Sequence, residues 1–152
     1  MSYEQQWIPE KGKSWTMNYT ISSAEEMIKL GESLLQIGSK FLVHGILWAG
    51  KTHLCKWFAQ SLGLDPSQVH SPTYVYYHEY ENKLFHGDFY RIDNPSTLTL
   101  RGISDTMEDY DYCFIEWPNF PDYYADSSRH TITIEHDPVD ENSRIVIIIP
   151  YT

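Results

Sequence analysis

Apolar positions in the first third of the chain fall at two spacings. Ala24, Met27, Ile28, Gly31, Leu34 and Leu35 recur at helical period, which predicts an amphipathic helix. Ser22 before it, with Glu25 three residues on, has the form of a capping box, and Gly38 is a natural stop. Thr20-Ile21 upstream reads as a short strand. Phe41-Leu42-Val43 is an unbroken apolar run, as expected of a strand buried on both faces. Leu54, Trp57, Phe58, Ser61 and Leu62 then return to helical spacing and predict a helix over residues 50–62, closed by Gly63.

Farther on, Asp65-Pro66-Ser67 and Ser71-Pro72 mark turns. Thr73 to Tyr80 is rich in aromatics and reads as a strand. Glu81-Asn82-Lys83 is a hairpin turn, and Leu84 to Tyr90 is the returning antiparallel strand. Asp93-Asn94-Pro95-Ser96 opens a helical stretch around Leu98 and Ile103, and the acidic segment Asp105 to Asp111 reads as a solvated face. Tyr112 to Ile115 is a buried strand ending in Glu116-Trp117-Pro118. Residues 119–129 read as loop or short helix, and Thr131 to Glu135 and Arg144 to Ile149 form a last hairpin around an Asp-Pro turn. The sum is an α/β fold: a mixed sheet flanked by helices, a parallel core with antiparallel hairpins added.

Size and composition narrow this picture. At 152 residues the chain fits one domain, placed here at 19–152. Residues 1–18, polar with Trp7 and Trp15, read as an N-terminal extension. The longest aliphatic run, Ile145 to Ile149, is far short of a membrane span, and the first residues lack the basic start and apolar stretch of a signal peptide. A cytoplasmic location is expected. Cys55 and Cys113 sit in apolar surroundings and read as buried free thiols, and no Cys-x-x-Cys or His-x-x-x-His pair suggests zinc. A net charge of −10 disfavours tight, direct binding of a nucleic-acid backbone and favours solubility, or docking to a basic partner face. With five Trp and twelve Tyr, some aromatics are expected at the surface, where they serve interfaces.

The densest chemical signal joins the first strand to the second helix. Gly45-Ile46-Leu47-Trp48-Ala49-Gly50-Lys51-Thr52 matches the P-loop pattern between the strand and helix that pattern requires. Its backbone N–H groups would wrap nucleotide phosphates, the Lys51 ammonium would reach the β- and γ-phosphates, and the Thr52 hydroxyl would bind Mg²⁺. The helix would add the positive end of its dipole. Such a site needs an acidic residue at a neighbouring strand end. Glu116 and Asp88 are the candidates, with Thr73 as a γ-phosphate or Mg²⁺ contact. His86, Asp88 and Tyr90 share one strand face by period two.

Taken in order, the loop 45–52, Ser71-Pro72-Thr73, His86-Gly87-Asp88-Phe89-Tyr90-Arg91 and Ile115-Glu116-Trp117-Pro118 resemble the bacterial TsaE family, over about residues 19–150. This is the P-loop ATPase family of the tRNA threonylcarbamoyladenosine pathway. The resemblance implies a protein that binds ATP with Mg²⁺ and hydrolyses it slowly. It also implies TsaB-like and TsaD-like partners, which handle the tRNA and modify adenosine 37. By motif, Gly45, Trp48, Ala49, Gly50, Lys51, Thr52, His53 and Trp117 would contact the nucleotide. Thr52 and Glu116 would hold the metal, and Glu116, Asp88 and Thr73 would serve hydrolysis.

The chain departs from the family's usual loop, Gly-x-x-Gly-Ala-Gly-Lys-Thr. Trp48 takes the second glycine position, Ile46 stands where an acidic residue is common, and His53 stands where a second hydroxyl residue is common. Positive φ at Trp48 would cost roughly 1–2 kcal/mol. Two other functions remain open from sequence. A small-molecule kinase shares the P-loop but usually carries several lid arginines, and here the arginines are only Arg91, Arg101, Arg129 and Arg144. A non-catalytic interaction module would follow if Trp48 blocked the pocket.

Overall fold

The computed structural model describes residues 16–46, 49–125 and 128–151. Its strands are β1 (Met17–Ile21), β2 (Lys40–Gly45), β3 (Tyr77–Tyr80), β4 (Leu84–Asp88), β5 (Tyr112–Glu116), β6 (His130–His136) and β7 (Arg144–Ile149). The helices are α1 (Ala24–Ser33), α2 (Lys51–Ser61), α3 (Ser96–Leu100) and α4 (Ile103–Glu108). The strands form one seven-stranded sheet in the order β1-β7-β6-β2-β5-β4-β3. β2 runs parallel to both β5 and β6, and β4 runs parallel to β5. The β3–β4, β6–β7 and β1–β7 pairs are antiparallel. The mixed sheet flanked by helices, with antiparallel hairpins at both edges, is the expected fold.

The period of two sorts the central strands between two cores. Phe41, Val43 and Phe114 pack on one face with Met27, Leu30 and Leu34 of the first helical segment and Leu54, Cys55 and Phe58 of α2. Leu42, Cys113 and Ile115 pack on the other with Leu98, Ile103 and Met107 of α3 and α4. Both cysteines are buried and free, as expected. α1 and α2 lie so close that a Cβ on Gly31 would fall 2.5 Å from Trp57 Cβ. Among the described residues, no helix is long and apolar enough to cross a membrane.

Several boundaries differ from the sequence pattern, each for a local reason. The N-cap of α1 is Ser23, whose hydroxyl accepts the Glu26 N–H at 3.1 Å. The Ser22 hydroxyl is instead bonded to Ser143 Oγ at 2.9 Å, beside the β1–β7 pair, so the cap shifts by one residue, while the Glu26 carboxylate accepts the Ser22 N–H at 3.5 Å. β1 begins at Met17, inside the segment read as an extension, because Met17 pairs with Ile148 and Asn18 with Ile147. β3 begins only at Tyr77; Thr73 to Tyr76 form a turn, with the Val75 N–H donating to Pro72 O and Tyr76 at φ 70°. Tyr80 pairs with Leu84 across the three-residue loop 81–83, in which Glu81 and Asn82 take positive φ and the Lys83 N–H donates to Tyr80 O. β4 ends at Asp88 rather than Tyr90, since the Phe89 N–H donates to Glu116 O and the Tyr90 N–H to the Asp88 carboxylate.

Candidate active site

β2, β4 and β5 are parallel neighbours, so their carboxyl ends open on one edge of the sheet. Crevices at that edge, where strand order reverses, are where open α/β sheets place ligands. β2 delivers the 45–52 loop, β4 delivers Asp88 and β5 delivers Glu116, with Asp88 and Glu116 paired in register. These ends, the first turn of α2 and the 71–74 segment enclose a cavity of about 560 Å³. Gly50, Lys51, Thr52, His53, Thr73, Asp88, Glu116 and Trp117 all line it, so the structure brings together most of the expected site residues. Ala49 is buried and lines a neighbouring cavity, while Gly45 lines a third one beyond Trp117. Trp48 lies outside the described residues.

The loop geometry follows from its glycines. Gly50, the N-cap of α2, sits at φ 111° and ψ 17°, a conformation that L side chains rarely adopt. A glycine cap brings no side-chain acceptor to the first-turn N–H groups, and Gly50, Lys51 and Thr52 at this helix start line the cavity. Lys51 is almost fully buried, and its ammonium donates to Gly45 O at 2.6 Å and Ile46 O at 2.8 Å. It also stands 4.4 Å over the Trp117 ring. Burial pushes its pKa down, while Glu116 and Asp88 pull it back up.

Glu116 is buried and collects the polar contacts of the site. The Thr52 hydroxyl donates to its two oxygens at 3.0 and 2.9 Å. His86 Nε2 lies 2.5 Å from its Oε2, and His86 Nδ1 lies 3.0 Å from the Tyr80 hydroxyl. Asp88 accepts the Thr73 hydroxyl at 2.8 Å and the Tyr90 N–H at 3.0 Å. Burial raises the Asp88 pKa; the Tyr90 and Thr73 bonds oppose this, and the nearby Glu116 charge adds to it. Trp117 adopts φ 48°, a strained backbone for a bulky residue, and its ring packs 4.8 Å from that of Tyr90. Tyr90 therefore reaches the cavity through a turn rather than by strand alternation.

Sequence reasoning missed several lining residues. Lys56, Ser71, Tyr74, Tyr90 and Arg91 all face the cavity. Lys56 was findable, since it lies four residues after Thr52 on the same helix face. Tyr74 and Arg91 were not, because they meet only through the fold, with the Arg91 guanidinium 4.7 Å from the Tyr74 ring. A larger cavity of about 840 Å³ adjoins the site and shares Gly50, His53 and Lys56 with it. It is lined partly by Met27 and Ile28 of α1 and by Trp57.

The oxygen set suits a hard cation. Thr52 and Glu116 offer a hydroxyl and a carboxylate, as Mg²⁺ prefers beside water and phosphate. Among the described residues no group of three or more His, Cys, Asp or Glu that could hold a metal ion is found.

Comparison with known proteins adds an independent line. The family model described as threonylcarbamoyl adenosine biosynthesis protein TsaE matches residues 21–146. A Haemophilus influenzae protein named tRNA threonylcarbamoyladenosine biosynthesis protein TsaE is 34% identical over 96 residues, covering 59% of this chain and 60% of its own. The Bacillus subtilis protein of that name is 30% identical over 116 residues, covering 74% of this chain and 72% of its own. The Rickettsia conorii protein of that name is 26% identical over 142 residues, 86% of this chain and 77% of its own. The chain thus spans 60% of the Haemophilus relative's length in their match. The crystal structure of Bacillus subtilis YdiB shares the fold, with a TM-score of 0.68 at 21% identity, over 90% of this chain and 86% of that one.

Proposed function

Because the chain belongs to the TsaE family, we propose that it binds ATP with Mg²⁺ in the cavity at the ends of β2, β4 and β5 and hydrolyses it slowly. In this role it supports TsaB-like and TsaD-like partners that form threonylcarbamoyladenosine at position 37 of tRNA. The single observation that carries the nucleotide reading is the convergence of Lys51, Thr52 and Glu116 on one cavity at a glycine-capped helix start.

The residues divide the work by their chemistry. The first-turn N–H groups of α2 and the Lys51 ammonium hold phosphate, and Lys51 exchanges its loop carbonyls for phosphate oxygens when it does so. Thr52 and Glu116 would hold Mg²⁺, which supplies charge neutralisation at the phosphates. Asp88 keeps Thr73 beside the site and, with Glu116, positions water. The base and ribose extend into the adjoining cavity lined by Met27, Ile28 and Trp57.

Titration calorimetry with ATP, with and without Mg²⁺, tests binding, and phosphate release with and without TsaB-like and TsaD-like proteins tests turnover. Metal-dependent binding with partner-stimulated release supports the proposal. Phosphate transfer to an acceptor would make the protein a kinase, and partner binding without nucleotide would make it an interaction module.

A further inference from the structure

We propose that His86 is a positioning residue, held by Tyr80, which anchors the Glu116 carboxylate in the orientation that faces Thr52. The inference rests on the nucleotide reading above and names a residue that touches neither phosphate nor metal in it.

The anchor is a chain of three side chains across the sheet. β3 and β4 pair antiparallel and β4 pairs with β5, so Tyr80, His86 and Glu116 come from successive strands. His86 is fully buried and both ring nitrogens are engaged. A carboxylate offers only lone pairs, and Glu116 already accepts the Thr52 hydroxyl, so the proton between His86 and Glu116 belongs to Nε2. Nδ1 is then free to accept from the Tyr80 hydroxyl, which fixes the tautomer. The Tyr80 oxygen in turn accepts the His70 N–H at 3.4 Å, and its single proton goes to Nδ1 at 3.0 Å, the nearer acceptor, rather than to the His70 carbonyl at 3.3 Å, just before the Ser71–Tyr74 segment that borders the cavity.

Geometry explains why Glu116 needs an anchor. Lys51, Asp88 and Glu116 line the same cavity. An unheld Glu116 would be drawn toward the Lys51 ammonium and would neutralise the charge meant for phosphate. The His86 bond to Oε2 holds the carboxylate where both of its oxygens accept the Thr52 hydroxyl. Packing alone does not ask for this residue. His86 meets the Phe114 ring edge-on at 6.0 Å, an apolar contact that a phenylalanine would also make.

The test uses full-length His86→Phe, His86→Gln and Tyr80→Phe with the fold checked by circular dichroism. ADP affinity is measured in EDTA, Mn²⁺ affinity of the ADP-loaded protein by electron paramagnetic resonance, and ATP turnover as kcat and KM. Nitrogen shifts of the His86 ring are read in the nucleotide-free protein. We expect ADP affinity in EDTA within about twofold of the parent, while Mn²⁺ affinity and kcat fall about 10–100-fold in His86→Phe, with KM moving less. His86→Gln should recover much of the loss, because its amide N–H still donates to the carboxylate. The ring should be protonated at Nε2, and Tyr80→Phe should mix the tautomers. His86→Phe with parental Mn²⁺ affinity, no rescue by His86→Gln, or a proton on Nδ1 alone would overturn the proposal. Should His86→Phe not fold, His86→Gln and Tyr80→Phe decide it by the same readouts. If the parent protein binds no ADP, the nucleotide reading fails, and the nitrogen shifts still show whether the anchor exists.

Discussion

At the scale of single residues, charge and burial pull against each other inside the site. Lys51 is the clearest case, a nearly buried ammonium bonded to two loop carbonyls. Lys51→Ala should therefore leave the fold intact and lower ATP affinity by about 10–100-fold, the worth of one charge-assisted contact of about 1.5–3 kcal/mol. Calorimetry measures it, and unchanged affinity would remove Lys51 from the phosphate site. Asp88 carries the opposite tension: burial raises its pKa above the ordinary carboxylate value. Ionisation of Asp88 thus costs the folded state stability, a penalty absent at pH below the unfolded pKa and complete once pH has risen through the folded one. Asp88→Asn should unfold at higher temperature than the parent at neutral pH, by about 2–4 °C per kcal/mol relieved, and lose that advantage in acid. Hydrolysis should fall in the same variant. The meeting of Lys51, Thr52 and Glu116 at one cavity was legible because one motif and one strand end place them. The strain at Trp117, at φ 48°, was not, and Trp48, where the sequence raised the same question, lies outside the described residues. Backbone strain set by how β5 leaves the sheet has no spacing to betray it.

At the scale of elements, legibility followed the strength of the hydrophobic period. β2 and α2 were readable to within a few residues, because an apolar run followed by helical spacing leaves few alternatives. The start of β3 was not, since Thr73 to Tyr80 carries aromatics on successive positions and a turn competes for them. The cap of α1 moved from Ser22 to Ser23 for a tertiary reason, the Ser22–Ser143 bond, which no local pattern contains. The junction of β2 and α2 also sets a prediction. Gly50 holds φ 111° at the start of α2, and a Cβ there would come 3.3 Å from Met27 Cε. Gly50→Ala should destabilise the protein by roughly 1–2 kcal/mol through backbone strain and weaken nucleotide binding by re-aiming the first-turn N–H groups. Denaturant unfolding together with ADP titration checks both effects. Loss of stability with unchanged affinity would mean that the loop amides do not carry the phosphate.

At the scale of the molecule, the sheet separates two cores that meet chemically at one edge. Lys51 and Thr52 belong to a helix packed on the core of α1 and α2, whereas Asp88 follows strand residues such as Phe85 that pack with α3 and α4. A ligand in the cavity therefore ties both layers together, and its binding free energy should appear as global stability. Saturation at 100 times Kd adds about 2.7 kcal/mol, which for a chain of this size shifts Tm by roughly 5–10 °C. Mg²⁺-ATP and Mg²⁺-ADP should produce that shift, and Lys51→Ala should reduce it. The net charge of −10 sets the contrast. A surface of that sign should give a short RNA at physiological salt no comparable shift, because few phosphates can be neutralised. Thermal unfolding with each ligand at matched ionic strength makes the comparison. A shift from RNA equal to that from nucleotide would place nucleic acid itself at this site.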